Sequence, residues 1–384
     1  MSDSMKNTEL SEKDELKAKK TKSDADSKKS KKSDKDKKKS IFARIVNWFK
    51  DLTLRDAKPV YDMLGVEFDS YNGESFYVDK TDRVVEELTE KNLLTLSEGA
   101  KVVDLDEEES GMPPCIIIKK DGTTIYATRD IAAALYRKET YNFDKCLYVV
   151  AYQQDLHFRQ LFKVLEKMGK PWAKDCVHVS FGMISFEGQA FSTRKGRVVY
   201  LEDVLNQAMQ KALDIINEKS PNLPGKEEVA RQVGIGAVIY SDLSNGRIKD
   251  IDFSFDRALN FDGETGPYVQ YTHARCCSVL RKAAEAELPE VDYNGLADDE
   301  AQHLLRLLSR FPDVVKEAAD KYEPSMITRA VTDIAQGYNK FYYEHRVLDD
   351  DAGVAAARVA LTKAVKDVIK TGLWLIGIEA PERM

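Results

Sequence analysis

The sequence predicts an α/β region built on a parallel sheet, followed by an all-α bundle. Two observations carry this. Between residues 101 and 186 short apolar runs alternate with helical stretches, the pattern of βαβ units. After Leu201 the strand signal fades and long amphipathic periods continue to the C-terminus, the pattern of packed helices. At 384 residues the chain suits two or three domains of about 150 residues each, and no internal repeat of about 20 to 50 residues breaks the pattern.

Taken in order, residues 1–40 are Lys, Ser and Asp with almost nothing apolar. Such a segment cannot recover the entropy cost of ordering, so it reads as a disordered tail, either a solvated extension or an electrostatic tether. From Ile41 the residues Ile45, Val46, Phe49 and Leu52 recur at helical spacing. A second helix around Ala57 to Leu64 ends at Gly65, a natural C-cap, and VEFDSYNGESFY reads as extended or looped. The predicted strands are VVDL, CIIIKK, TIYAT, CLYVVA and VHVSFGMI, with helices over 130–138 and 156–168 between them. The predicted later helices cover 202–218, 226–243, 267–287, 296–320, 325–345 and 353–375.

Composition bounds the chemistry. Apolar residues make up 43% and charged residues 32%, and no stretch approaches the roughly 18 to 20 uninterrupted apolar residues of a membrane span. No secretory signal is expected at the N-terminus. Five cysteines without a CxxC pair suggest reduced thiols in a cytoplasm, with neither a disulfide frame nor a zinc site. The five histidines are scattered without ligand spacing, so no metal site is expected. Residues 1–40 hold 14 Lys against 9 Asp and Glu, so the other 344 residues carry −12 of the net −7. Any nucleic-acid contact must therefore be local.

Four segments could carry chemistry. AFSTRKG at 190–196 offers hydroxyls, backbone N–H groups and the charges of Arg194 and Lys195 to phosphoryl oxygens, although a short basic Ser/Thr/Gly run also suits a solvated turn. Asp130 follows TIYAT at the start of a helix, with Tyr126 four residues earlier and Glu74 in the YNGES loop. Ligands bind at the carboxyl ends of strands in open α/β sheets, but Asp130 also suits a helix cap. If Asp130 and Glu74 face one pocket, they make an anionic site for a guanidinium or ammonium group. Gln154 and His157 sit at the strand-to-helix junction after CLYVV, where polar groups hold a ligand or simply begin a helix. Finally, QGYNKFYYEHRV at 336–347 interleaves aromatics with cations, which suits an RNA loop or, equally, a helix core.

These segments fall into one order. From about Trp48 to Met384 the chain resembles arginyl-tRNA synthetase, a class I aminoacyl-tRNA synthetase. The resemblance rests on FKDLTLRDAKPVYDMLGVEFDSYNGESFY, GMPPCIIIKKDGTTIYATRDIAAALYRK, FDKCLYVVAYQQDLHFRQLFKVLEKMG, HVSFGMI followed by STRKG, FDGETGPYVQYTHAR, and GLWLIGIEAPERM. It implies an incomplete Rossmann-type parallel sheet over 41–200, a helical stem-contact region over 201–262 and a C-terminal helical anticodon-binding bundle over 263–384. It also implies that Glu74, Tyr126, Asp130 and Gln154 bind arginine. His157, Phe181, Gly182 and Met183 would lie near ATP, and Ser192, Thr193 and Lys195 would act in the phosphate loop. Tyr338, Asn339, Tyr342 and Arg346 would meet tRNA. The implied substrates are arginine, ATP with Mg2+, and tRNA(Arg), with no tightly bound cofactor. The implied reaction forms arginyl-adenylate and passes the arginyl group to the tRNA's terminal ribose.

Two departures from the family pattern shape the functional expectation. No two histidines lie within three residues of each other, so the His-x-Gly-His motif of the family's first half is absent from this sequence. The loop that reads Lys-Met-Ser-Thr-Arg-Lys-Gly in close relatives has Ala190 and Phe191 in place of the leading pair. Losing that ammonium removes a contact worth about 2 to 4 kcal/mol on developing negative charge. A parallel sheet without its first strands also exposes an apolar edge that invites pairing. The expectation is therefore a chain active only with a separate N-terminal synthetase half. The alternatives are a non-catalytic tRNA- or arginine-binding relative and a truncated gene product.

Overall fold

The computed structural model describes residues 48–106, 111–186, 188–190 and 199–384, so segment 1–40 and the STRKG residues lie outside the described residues. The chain divides into two units, Met1–Glu67 and Phe68–Met384.

In the first unit, residues 48–64 form one helix, α1, where the sequence suggests a break between two. The helix runs through Pro59, whose ring supplies no N–H to the carbonyl four residues earlier. It ends as expected at Gly65, whose φ of +65° a residue with a side chain adopts only at a cost. Trp48 and Phe49 are exposed.

The second unit opens with a 3-10 helix, Glu74–Lys80, over the segment expected to be extended or looped. It leads into α2 (Thr81–Glu90). Three strands follow: β1 (Leu94–Ser97), β2 (Ala100–Val103) and β3 (Cys115–Ile118). They form an antiparallel sheet, not the parallel one the sequence suggests, with Ser97 opposite Ala100 across a two-residue turn. Glu98 and Gly99 both have positive φ there, the geometry of a tight hairpin, and a two-residue link can join only antiparallel strands.

TIYAT is not a strand. Only Thr124 bridges to Ile118, and α3 (Tyr126–Tyr141) starts directly after Ile125. Asp130 therefore sits in the second turn of α3 and does not cap it. Thr128 ties that helix to the sheet by donating from its hydroxyl to the Ile117 carbonyl at 2.6 Å, fully buried.

Next comes the expected βαβ unit. β4 (Cys146–Ala151) and β5 (Cys176–Phe181) pair in parallel, joined through α4 (Asp155–Lys167). Leu161, Val164, Leu165 and Met168 are buried against the sheet, each contributing about 1.5 to 3 kcal/mol if fully withdrawn from water. Among the described residues β4 has no neighbour on its other edge. Leu147 is 47% exposed and Val149 65% exposed; both project from one face of the strand, into a cavity also lined by residues of the helical region.

A small sheet follows. β6 (Ile184–Phe186) and β7 (Gln189–Ala190) form a hairpin, and β8 (Ile251–Phe253) joins β6 in parallel. Between them lie α5 (Leu201–Lys219) and α6 (Lys226–Leu243), and after β8 comes the short α7 (Phe255–Ala258). The C-terminal bundle is α8 (Gly266–Ala283), α9 (Asp299–Lys321), α10 (Ser325–Glu344) and α11 (Ala352–Leu375). Its core includes Leu304, Val331, Tyr338, Phe341, Val365 and Leu373, with Tyr240 of α6 packed into the same cluster.

Candidate active site and nucleic-acid groove

The carboxyl ends of β4 and β5 gather most of the expected ligand residues. β4 ends at Ala151, and the junction into α4 presents Gln154, exposed, and His157, nearly buried. His157 Nε2 lies 2.7 Å from Asp130 Oδ2, and the exposed Tyr126 ring stands 5.0 Å from the imidazole at 63°. Tyr126, Asp130 and His157 therefore form one cluster, although the resemblance gives them to two different ligands. Beneath it the Phe158 ring stacks on His178 at 4.4 Å. His178 in turn bridges the Val150 carbonyl at 2.9 Å and the Asp155 carboxylate at 3.0 Å.

Glu74 has a different partner. Arg129 Nε donates to Glu74 Oε1 at 2.6 Å, so the two acids are not a bare anionic pair. Both carry an internal basic partner, and an incoming guanidinium must share or displace those contacts.

The FGM segment is held by a strap at 245–252. Gly182 N donates to the Arg247 carbonyl at 2.9 Å, and Met183 N to Asp250 Oδ1 at 2.7 Å. A Cβ on Gly182 would lie 2.3 Å from the Lys249 carbonyl oxygen, so only glycine permits this approach. Asp252 on β8 accepts from Gly188 N at 2.7 Å and Ser185 Oγ at 2.8 Å. Those donors, the Gly188 amide first, hold its carboxyl below the usual range. Asp252 thereby fixes the β6–β7 hairpin that precedes the segment expected to meet phosphates. Ser192, Thr193 and Lys195 of that loop lie outside the described residues. The strap also reaches the helical bundle, because Arg247 donates to the Ser180 carbonyl while its own N–H faces Glu323 at 3.2 Å. Asp250, Asp252 and Arg247 hold this segment in place, and the sequence marks only the first two, through the DIDF alternation of charged and apolar residues.

Phe181, Gly182 and Met183 line a cavity of about 940 Å3 together with Leu147, Val149 and Tyr322. The exposed apolar face of β4 thus continues into the segment expected near ATP.

A second cavity, of about 760 Å3, lies where α8 and α10 meet the loop 220–224 and the C-terminal residues. Tyr271, Arg275, Arg281, Lys282, Tyr342 and Arg383 line it. The Arg275 guanidinium lies between two rings, 5.0 Å from Tyr271 and 5.1 Å from Tyr342. Arg275 also donates to Asn339 Oδ1, and Asn339 Nδ2 donates to Thr272 Oγ1 at 2.9 Å. Of the four residues expected to meet nucleic acid, Tyr342 lines this groove and Asn339 orients its central arginine. Tyr338 is a correction: it is fully buried in the bundle core, because the helical period turns it inward, and it cannot stack on a base. Arg346 does not line the groove and pairs with Asp350 at 2.8 Å. Tyr271, Arg275, Arg281, Lys282 and Arg383 come from segments where sequence showed no cluster.

One further group of ligand-type side chains occurs among the described residues. Asp298, Glu300 and His345 bring ligand atoms within 4.8 Å of one another. These groups already have partners: His345 lies 3.4 Å from Asp298 and 3.3 Å from Glu300, Lys340 pairs with Glu300 at 3.2 Å, and Asp298 caps α9 through the Ala301 amide.

The sequence matches two family descriptions in succession. Residues 5–255 match "tRNA synthetases class I (R), catalytic domain", and residues 269–384 match "DALR anticodon binding domain". The arginine–tRNA ligase of Alkaliphilus metalliredigens is 54% identical over 337 residues, covering 88% of this chain and 59% of that protein. That of Halothermothrix orenii is 55% identical with the same coverage. The chain therefore spans about three fifths of the length of the curated relatives it matches. Among solved structures, arginyl-tRNA synthetase of Thermus thermophilus superposes with a TM-score of 0.78 at 27% identity, over 86% of this chain and 64% of that one. Methionyl-tRNA synthetase of Mycobacterium tuberculosis shares the fold at a TM-score of 0.57 and 10% identity. No described helix is long and apolar enough to cross a membrane. With a catalytic-domain match over about two thirds of its length, and an anticodon-domain match directly after it, the chain belongs to the arginyl class I tRNA synthetase family.

Proposed function

We propose that this chain supplies the arginine-recognising and tRNA-recognising part of an arginine–tRNA ligase and joins in catalysis only together with a polypeptide that completes the nucleotide-binding sheet. The observation that carries this reading is the Tyr126–Asp130–His157 cluster at the carboxyl end of β4, beside an edge of β4 that no described strand covers. Asp130 receives the substrate guanidinium, with Glu74 reached after Arg129 yields, and Tyr126 covers the aliphatic stem. Gln154 holds the amino acid's polar end. Phe181, Gly182 and Met183 lie along the nucleotide, and Ser192, Thr193 and Lys195 approach its phosphates. Mg2+ arrives with ATP as part of the substrate. The reaction is attack of the arginine carboxylate on the α-phosphate, with pyrophosphate leaving, followed by transfer to a terminal ribose hydroxyl of tRNA(Arg). Positioning and charge stabilisation supply the rate.

The unpaired side of β4 accepts a parallel strand by main-chain hydrogen bonding, and the added strand would extend the apolar sheet face that Leu147 and Val149 begin. A second reading, a tRNA-binding relative without catalysis, draws support from the Tyr271–Arg275–Tyr342 groove, which needs no ATP site to hold an unpaired base. Calorimetric titration with arginine separates the two. Binding that disappears in D130N supports the first reading; tRNA(Arg) binding without any arginine binding supports the second.

A further inference from the structure

We propose that Cys146 and Cys176 form a reversible, oxidant-sensitive dithiol, in which Cys146 is the attacking thiol and Cys176 the resolving one. The two are the first residues of β4 and β5 and stand directly opposite each other in the parallel register. Register partners in neighbouring strands project from the same face, and strands lie about 4.8 Å apart. That separation falls within the roughly 4.4 to 6.8 Å that a disulfide spans between α-carbons. Their side chains therefore stand side by side, while the Cys176 thiol also reaches the Trp172 carbonyl at 3.8 Å. Cys146 is half-buried and reachable, whereas Cys176 is 6% exposed.

The surroundings divide the roles. Cys146 is drawn below the ordinary thiol range, first by the hydrogen bond from Cys176, then by the Tyr148 hydroxyl and the Arg137 guanidinium, against the opposing effect of burial. Arg137 is half-buried over the rings of Tyr77 and Tyr148, at 5.8 and 5.3 Å. Tyr148 Oη is buried without a well-aligned hydrogen-bond partner of its own. Cys176 moves upward and keeps its proton, first through its contact with Cys146 and then through burial, with Asp175 adding to the shift. The other thiols lack this arrangement: burial pushes Cys115 and Cys276 each up to about 12 and raises Cys277.

With a peroxide as oxidant, the Cys146 thiolate attacks one peroxide oxygen, and the O–O bond breaks to give a sulfenic acid and hydroxide, which takes up a proton. The Cys176 sulfur then attacks the sulfenic sulfur, water leaves, and the S–S bond forms. Two thiols are oxidised by two electrons and one peroxide is reduced to two waters. A link between opposed strand positions departs from relaxed disulfide geometry, so a small thiol reduces it readily. It lies at the opposite end of the strands from the ligand residues after Ala151 and Phe181.

The test treats the whole chain with hydrogen peroxide, blocks free thiols with iodoacetamide and maps peptides by mass spectrometry. The expected product is a Cys146–Cys176 linked peptide, lighter by two hydrogens and lost on adding dithiothreitol. Dimedone should label Cys146 in C176A, and Cys176 should stay reduced in C146A. The proposal is overturned if both thiols in the untreated-sequence protein remain alkylatable after peroxide, or if Cys176 oxidises equally well in C146A.

Discussion

At the scale of single residues, the site is built from acids that are already engaged. Asp130 holds His157 and Glu74 holds Arg129, so in the proposed reading arginine enters by exchange with these internal partners. Asp130→Asn should weaken arginine binding about 10- to 100-fold, the range expected for a lost charged hydrogen bond. Glu74→Gln should cost less, because that side chain is 61% exposed and screened by solvent. Titration calorimetry on both variants checks the order; a larger loss in E74Q would contradict it. Gly182→Ala drives a methyl into the Lys249 carbonyl and should lower stability by about 1 to 3 kcal/mol, read as a shift of the urea midpoint. The residue types in this site were legible in the sequence, but their partners were not. Nothing in TRDIA or in DLHF states that Asp130 and His157, separated by 27 positions, meet at 2.7 Å.

Among elements, helices are more legible in the sequence than strands, for a physical reason. The predicted helix at 226–243 coincides with α6, and the one at 325–345 overruns α10 by one residue, because a helix writes its buried face into its own 3.6-residue period. A strand's apolar run does not name its neighbour. VVDL and CIIIKK read as strands, but nothing in either run states that β2 pairs antiparallel with β3 on one side and, across the two-residue Glu98–Gly99 turn, with β1 on the other. TIYAT has β-branched residues but belongs mostly to the approach and first turn of α3.

The α8–α10 groove is a property of paired elements too. Arg275→Ala and Tyr342→Ala should each weaken tRNA binding, with R275A also reducing the salt slope by about one, while Arg346→Ala should change little. Filter binding at several salt concentrations reads both. Helix α8 also carries a pH dependence through His273, which is buried against the Pro381 carbonyl. Burial, ahead of the opposing hydrogen bond, lowers its pKa in the folded chain from the ordinary 6.5. Below about that value the unfolded chain binds a proton that the folded one refuses, so stability falls as pH drops toward the folded value. His273→Gln should flatten this part of the curve of urea midpoint against pH.

Over the whole molecule, a short parallel pair and a helical bundle are joined by the 245–252 strap, and β4 keeps one side unpaired among the described residues. That open side and the apolar face of Leu147 and Val149 support the proposed account: recognition resides in these residues, and activation needs further strands beside β4. The direct measurement is ATP–pyrophosphate exchange with arginine and tRNA(Arg), using this chain with and without a polypeptide spanning the part of the Alkaliphilus metalliredigens relative that it does not cover. The account predicts exchange only when both polypeptides are present. Exchange by this chain alone, or its absence from a mixture in which the two polypeptides demonstrably associate, would contradict it.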